Sequence, residues 1–250
     1  MKNSNTHSVS VLGVWREPAT SYVVNELLNN RIKIDAVYFD SKFASKKDIQ
    51  TWQERTQNNL PGIPYSNFSK SGIPFFFVDR HDSLQTSNLI SSRDSDLIVS
   101  SVTPRILKKN TFDATPRGVL NVHPGLLPDF RGCTCVEWAL YLDKKIGNTV
   151  HFMNENIDQG PIVYSESISF NDCTNYHEIR CKVYTQGFEL MRKAIHLVFE
   201  KNLSQTKLPN QPKKGNLFKV IDSKKLQIVK EKVAARKYVY QRKIDLNREI

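Results

Sequence analysis

Short apolar runs alternate with longer amphipathic segments along the first half of the chain. The run Ser8–Val14 is rich in β-branched residues and predicts a strand, and Pro18 then opens a segment whose apolar side chains follow helical spacing as far as Asn30. The same alternation predicts strands at 34–39, 74–78 and 96–100, and a polar surface helix at 46–58. Strands that alternate with helices are typical of a mostly parallel sheet covered by helices on both faces, so we expect a Rossmann-like α/β fold.

The second half continues this alternation and then changes character. The pattern predicts strands at 119–123, 148–153 and 162–170, a loop rich in Gly and Pro at 124–132, and helices at 136–142 and 176–201. A stretch from Leu208 to Gly215 contains two prolines and a glycine and is typical of a linker, after which a short strand and a helix can follow. We therefore predict a main domain of residues 1–207 and a C-terminal extension of residues 208–250.

Length and composition limit the class of protein. The chain has 250 residues, of which 39% are hydrophobic, enough for one sizeable domain plus an appendage. The first residues are polar and no apolar run approaches the roughly 20 residues of a membrane span, so we expect a cytoplasmic protein with no membrane partner. The four cysteines are spaced C-x-C and C-x7-C, which does not match zinc ligands, so no metal is expected.

The net charge of +11 is concentrated at one end of the chain. Residues 201–250 hold 14 Lys and Arg against 4 Asp and Glu, a balance of +10, which leaves the first 200 residues near +1. A basic segment on a near-neutral body suggests attraction to phosphates, polyanions or an acidic partner surface. A solvated basic helix that binds nothing specific explains the same charge equally well.

The run Asn121-Val122-His123-Pro124 places two polar side chains at the end of a predicted strand. Asn121 and His123 are two positions apart, so in a strand they lie on one face and can converge on one small group. Ligands of open α/β sheets bind outside the carboxyl ends of the strands. This strand end is therefore the first candidate for a functional site.

Two stretches carry a family resemblance, NVHPGLLPDFRG and GNTVHFMNENIDQGPI, with His123 and Asp158 separated by 35 positions. They are similar to the signature of the folate-dependent formyltransferases, Asn-x-His-Pro-x-Leu-Leu-Pro followed by a basic-glycine turn and, after a further strand, Asp-x-Gly-Pro. The order and spacing resemble glycinamide ribonucleotide formyltransferases in particular. The resemblance covers about residues 96–200, whereas residues 8–92 match only as a generic nucleotide-binding-like half.

The resemblance implies an enzyme that moves a formyl group from 10-formyltetrahydrofolate to a primary amine, with Asn121, His123 and Asp158 as its catalytic set. Asn121 and a protonated His123 would donate hydrogen bonds to the oxygen on which negative charge develops. Asp158 would raise the pKa of His123 and could take up the proton that the amine loses. Without the motif, Asp158 would be interpreted as a turn residue that caps its own backbone.

The resemblance also implies two binding regions. The folate pocket would be formed by Arg105, Ile106 and Leu107 together with the loop that carries Asn154, Glu155, Asn156 and Ile157. The acceptor would face Arg131 and Gly132, where Gly allows close approach and Arg can meet a carboxylate or phosphate. Trp138 could stack on a base or cover a sugar, although packing into the core explains it as well.

Departures from the family pattern bear on the acceptor. Glycinamide ribonucleotide enzymes are expected to hold the substrate phosphate at a helix start with a Gly-Ser-Asn type turn, whereas this chain has Gly13-Val14-Trp15-Arg16-Glu17-Pro18, and Glu17 would repel a phosphate. Enzymes that formylate methionyl-tRNA carry a C-terminal barrel longer than this tail, although its basic charge suits RNA. Our preferred acceptor is an amino-sugar nucleotide.

Other interpretations stay open at this point. Water in place of the amine would make the protein a 10-formyltetrahydrofolate hydrolase with the same three residues. A non-catalytic folate- or nucleotide-binding protein would use the basic tail for docking, and a nucleic-acid partner is less favoured than a small-molecule amine. The sequence is also compatible with a homodimer.

Overall fold

The computed structural model describes residues 7–212 and 214–241 of the chain. Residues 242–250 of the predicted extension lie outside the described residues. The strands are β1 (Ser8–Val14), β2 (Lys33–Asp40), β3 (Phe75–Val78), β4 (Leu97–Ser100), β5 (Val119–His123), β6 (Phe130–Gly132), β7 (Gly147–Phe152), β8 (Ile162–Ser167) and β9 (Asn216–Phe218). The helices are α1 (Pro18–Asn29), α2 (Lys46–Thr56), α3 (Leu84–Ser91), α4 (Lys109–Phe112), α5 (Cys135–Tyr141), α6 (Tyr176–Glu200) and α7 (Ser223–Ala234).

Within these described ranges, seven strands form one sheet in the order β3-β2-β1-β4-β5-β7-β8. The strands from β3 to β5 pair in parallel, and β7 pairs antiparallel with both β5 and β8. The α/β, mostly parallel fold predicted from the hydrophobic pattern is therefore confirmed. Because β7 is antiparallel to β5, its first residues lie beside the end of β5, and its last residue, Phe152, pairs with Leu120 near the start of β5.

Both faces of the sheet are covered, and successive strand residues pack on opposite sides. Val11 and Val99 belong to a buried cluster that includes residues of α1 and α6. Their neighbours Leu12 and Ile98 belong to a different cluster that includes residues of α3 and α4. This alternation is the expected result of the two-residue period of a strand.

Capping side chains fix where several helices begin. Glu17 precedes α1 and its carboxylate accepts the N–H of Ala19, while Pro18 occupies the first turn, where its missing N–H costs nothing. Ser45 and Asp48 form a reciprocal capping box at the start of α2. Local sequence thus sets the position of α1 and α2 at the carboxyl edge of the sheet.

The segment after α6 returns to the main body. Strand β9 pairs in parallel with β6, and α7 packs against α5. Val229, Val233 and Tyr238 are fully buried in a cluster with residues of α5 and α6. The strand and helix predicted after residue 215 are confirmed, and the domain boundary at 207/208 stays a prediction.

Across the part of the chain that the structure describes, none of the helices combines the length and apolar character needed to cross a membrane.

Candidate active site

Asn121 and His123 lie on one face at the carboxyl end of β5, as their spacing predicts. Because β7 runs antiparallel to β5, its register places His151 directly opposite Asn121. The side-chain amide nitrogen of Asn121 lies 3.3 Å from Nε2 of His151. The strand pairing thus adds a second imidazole, which the sequence did not single out, to the predicted set.

Asp158 reaches the same place from the turn after β7. Its Oδ2 lies 3.5 Å from Nδ1 of His123, and its Oδ1 lies 3.7 Å from Nε2 of His151. The backbone N–H of Gly132 donates to Oδ2 at 2.8 Å. The three residues of the predicted catalytic set are therefore brought together, with one carboxylate facing two imidazoles.

The turn that carries Asp158 is tightly shaped. Asp158 has a left-handed backbone with φ of 53°, which aspartate tolerates better than most residues do. Two residues later, a Cβ on Gly160 would lie 1.7 Å from the carbonyl oxygen of Phe152, so only glycine fits there. The turn residues thus set where the carboxylate points.

Burial determines the protonation of both imidazoles. Nε2 of His123 lies 2.7 Å from the carbonyl oxygen of Phe130, which can only accept, so this nitrogen carries the proton of the neutral ring. Burial lowers the pKa of His123, and the Asp158 carboxylate offsets only part of that shift. The expectation that Asp158 would raise the pKa of His123 above its ordinary value is therefore wrong for the free protein, since desolvation outweighs the carboxylate.

His151 shows the same effect of burial. Its Nδ1 donates to the carbonyl oxygen of Phe152 at 2.9 Å, which leaves a lone pair on Nε2 for Asn121. Burial lowers the pKa of His151 to about 4. At neutral pH the site therefore holds two uncharged imidazoles, each able to accept a proton that Asp158 would then stabilise.

A cavity of about 120 Å³ opens beside the carboxylate. It is lined by all the residues predicted to hold the folate, and also by His151, Met153 and Asp158; the predicted ones are Arg105, Ile106, Leu107, Asn154, Glu155, Asn156 and Ile157. The guanidinium of Arg105 is paired with buried Asp40 at 2.8 Å. Because Asp40 engages the guanidinium of Arg105, we expect a ligand in this cavity to contact the backbone of Arg105.

A second and larger cavity, of about 290 Å³, lies beside Val122 and Pro124. Its wall includes Glu17 at the start of α1 and aromatic side chains from α2 and α6, namely Trp52, Tyr184 and Phe188. Burial raises the pKa of Glu17 to about 7. The end of β5 thus lies between two cavities, one on the side of the catalytic carboxylate and one on the side of α1.

The residues predicted to face the acceptor have partners in the C-terminal segment. Arg131 and Gly132 form part of β6, so the prediction of a loop there is wrong. The buried guanidinium of Arg131 donates to the side chain of Gln211 and to the carbonyl of Pro212, at 3.2 and 2.8 Å. Trp138 donates its indole N–H to the carbonyl of Lys219 at 2.7 Å. Their roles toward an acceptor stay predictions.

Comparison of the amino-acid sequence with known proteins identifies relatives of the chain. Residues 5–195 match the family model described as formyl transferase. Methionyl-tRNA formyltransferase of Chlorobium limicola is 28% identical over 137 residues, which are 54% of this chain and 43% of the relative. The corresponding protein of Syntrophus aciditrophicus is 31% identical over 123 residues, 49% of this chain and 38% of the relative. The match thus spans less than half the length of these relatives.

Solved structures with the same fold include glycinamide ribonucleotide transformylases and sugar N-formyltransferases. Glycinamide ribonucleotide transformylase 1 from Symbiobacterium toebii superposes with a TM-score of 0.61 at 19% identity, over 80% of this chain and 90% of that one. A sugar N-formyltransferase from Shewanella sp. FDAARGOS_354 superposes with a TM-score of 0.58 at 20% identity, over 86% of this chain and 77% of that one. At these identities the likeness shows the fold.

Proposed function

Because the chain belongs to the formyl transferase family, we propose that it is an N-formyltransferase that moves a formyl group from 10-formyltetrahydrofolate to a primary amine. The observation that carries the proposal is the position of Asp158, which lines the cavity together with the predicted folate residues and lies 3.5 Å from Nδ1 of His123. Asn121 adjoins the same group through His151, which also lines the cavity. A strand end that carries Asn121 and His123 and a turn 35 positions after His123 that carries Asp158 thus supply donors and a proton acceptor beside a cavity, as acyl transfer needs.

The smaller cavity fits one end of the donor. Its volume of about 120 Å³ is below the roughly 300 Å³ at which drug-sized pockets begin, so it would hold the flat ring rather than the whole folate. Ile106 and Ile157 are 74% and 52% exposed and lie at its rim, where they could cover the rest of the molecule. When bound, 10-formyltetrahydrofolate supplies an activated formyl carbonyl.

The site residues would act on the charge and the proton of the transfer. The amide of Asn121 has a second N–H, besides the one directed at His151, that could donate to the formyl oxygen as it becomes negative. The amine must lose a proton when it forms its bond to the formyl carbon. Neutral His123 could take up that proton, and Asp158 at 3.5 Å would stabilise the resulting imidazolium. The imidazolium would then return the proton to N10 of tetrahydrofolate as the bond between N10 and the formyl carbon breaks.

For the acceptor we propose an amino sugar on a nucleotide carrier. Support comes from the 290 Å³ cavity, whose aromatic side chains suit a sugar face or a base. The side chain of Glu17 already accepts the N–H of Ala19 at the start of α1, so a glycinamide ribonucleotide phosphate would have to displace it from that helix start. Methionyl-tRNA is the second candidate acceptor. Two methionyl-tRNA formyltransferases match about half of this chain.

The test is a formyl-transfer assay with purified protein and 10-formyltetrahydrofolate. A nucleoside-diphosphate amino sugar, glycinamide ribonucleotide and methionyl-tRNA are offered in parallel, with a reaction lacking any amine. Formylation of the amino sugar supports the full proposal, and preference for either other amine overturns the proposed acceptor. Formate release without amine would indicate a hydrolase, and absence of all turnover would indicate a binding protein.

A further inference from the structure

The segment that follows α6 crosses the catalytic turn before it reaches β9. We call residues 208–212 the strap. The side-chain amide of Gln211, in the strap, donates to the carbonyl oxygens of Asp158 and Gly160 at 3.2 and 2.6 Å. These two carbonyls belong to Asp158 itself and to the residue two positions later, so both follow the Cα of Asp158 in the turn. The side chain of Gln211 therefore holds the backbone on both sides of Gln159, the residue that follows Asp158.

Arg131 holds Gln211 in turn. Its side chain is almost fully buried, and the same terminal nitrogen donates to Oε1 of Gln211 and to the carbonyl of Pro212. The residue after Arg131 is Gly132, whose N–H donates to the carboxylate of Asp158. Three hydrogen bonds and the peptide bond between Arg131 and Gly132 thus link Arg131, Gln211, Asp158 and Gly132 into a closed ring. In this ring the backbone of Asp158 is held by Gln211 and its side chain by Gly132.

From this ring we infer that Gln211, anchored by Arg131, is a positioning residue that fixes the carboxylate of Asp158 for formyl transfer. The inference rests on the proposed function, since it assigns Asp158 a part in that reaction. It also gives the C-terminal segment a role in catalysis, separate from any attraction of its basic charge for polyanions.

An amide is the chemical group that this position requires. The Gln211 side chain must donate to two carbonyls and accept from a guanidinium at the same time, which a carboxamide does and a carboxylate does not. Gln211→Glu is therefore a discriminating change. It keeps the acceptor for Arg131, now as an ion pair, but directs carboxylate oxygens at the carbonyls of Asp158 and Gly160.

The experiment compares Gln211→Glu with Asn210→Asp, which makes the same change of amide to carboxylate at the exposed neighbouring position. We expect kcat to fall by about tenfold to a hundredfold in Gln211→Glu, because displacement of a catalytic group by about 1 Å costs that much. The KM for the amine and the melting temperature should match those of Asn210→Asp. Equal kcat in the two variants would overturn the inference.

Amide hydrogen exchange supplies a readout that needs no turnover. The N–H of Gly132 is held by Asp158, whereas the N–H of the next residue, Cys133, is held by the carbonyl of Phe218 in β9. In Gln211→Glu the Gly132 amide should exchange about tenfold faster, as expected for the loss of a hydrogen bond to a charged group, with Cys133 unchanged. Acceleration of both amides together would mean general loosening and would overturn the inference.

The two readouts separate this inference from the proposed function. If the wild-type protein transferred no formyl group to any amine, the proposed function would be wrong. The amide hydrogen-exchange rate of Gly132, compared with that of Cys133, would still decide whether Gln211 holds Asp158.

Discussion

The carboxylate of Asp158 offers the most direct test of how the site works. Asp158→Asn keeps the size of the side chain and removes its charge. The carboxylate lies 3.5 Å from Nδ1 of His123 and its side chain is only 14% exposed, so solvent screens the pair weakly. With an effective dielectric constant of about 20, Coulomb's law gives roughly 4 to 5 kcal/mol for a carboxylate and an imidazolium at this separation.

That free energy applies only while His123 carries a proton, which is the state proposed for the transfer step. Its loss should slow the chemical step by about a thousandfold, because each 1.4 kcal/mol corresponds to a factor of ten. The measurement is single-turnover formyl transfer with enzyme in excess, which isolates chemistry from product release. Binding of 5-formyltetrahydrofolate, measured by calorimetry, should change little.

Asp129→Asn is the matched control, since Asp129 is an exposed carboxylate in the stretch that carries His123 and should retain the wild-type rate. A fall of less than about tenfold in Asp158→Asn, with the folate analogue still bound, would refute the coupling between the carboxylate and the imidazole.

Three further outcomes follow from contacts in and near the site. Burial lowers the pKa of His123 and lowers that of His151 to about 4, so the unfolded chain takes up protons first as pH falls below 6.5. Stability should therefore drop by about 1.4 kcal/mol per pH unit through His151 between pH 6.5 and about 4, and His123 should add a loss of the same sign. Melting curves of His151→Gln should show a shallower slope, and an unchanged slope would contradict this. Asn121→Ala should lower kcat by about a hundredfold to a thousandfold in the transfer assay with unchanged affinity for the folate analogue, and a weakened affinity would assign Asn121 to binding instead. Glu137→Ala should cost about 3 to 5 kcal/mol in urea unfolding, since it leaves buried Arg180, 3.6 Å away, without its carboxylate; a loss under about 1 kcal/mol would show that the pair adds nothing.

The sequence predicted much of the site because short-range rules apply to it. The two-residue period of a strand placed Asn121 and His123 on one face, and the resemblance supplied Asp158 and the residues that line the smaller cavity. His151 was missed because its position depends on the register between β5 and β7, which local pattern does not define. Gln211 was missed for a similar reason, since its partners lie about 50 residues earlier in the chain.

The fold shows the same division between local and long-range information. Helix α3 was not predicted because Leu84–Ser91 is short and mostly polar, although Ser83 accepts the N–H of Thr86 as an ordinary N-cap. Strand β6 was predicted as loop because it pairs with β9, which lies far along the chain. The direction of the His123 pKa was wrong because the sequence shows a neighbouring charge but not how deeply both groups are buried.

The parallel pairing of β6 with β9 also bears on the order of events during synthesis. A ribosome releases the chain from its N-terminus, so the large sheet and the turn at Asp158 emerge before Gln211, which follows 53 residues later. An unfinished chain can therefore bury most of its apolar side chains while the turn still lacks the contacts that hold it. Such a chain would be folded in outline, and under the proposed role of Gln211 its rate of formyl transfer would rise about tenfold to a hundredfold once residues 208–212 dock.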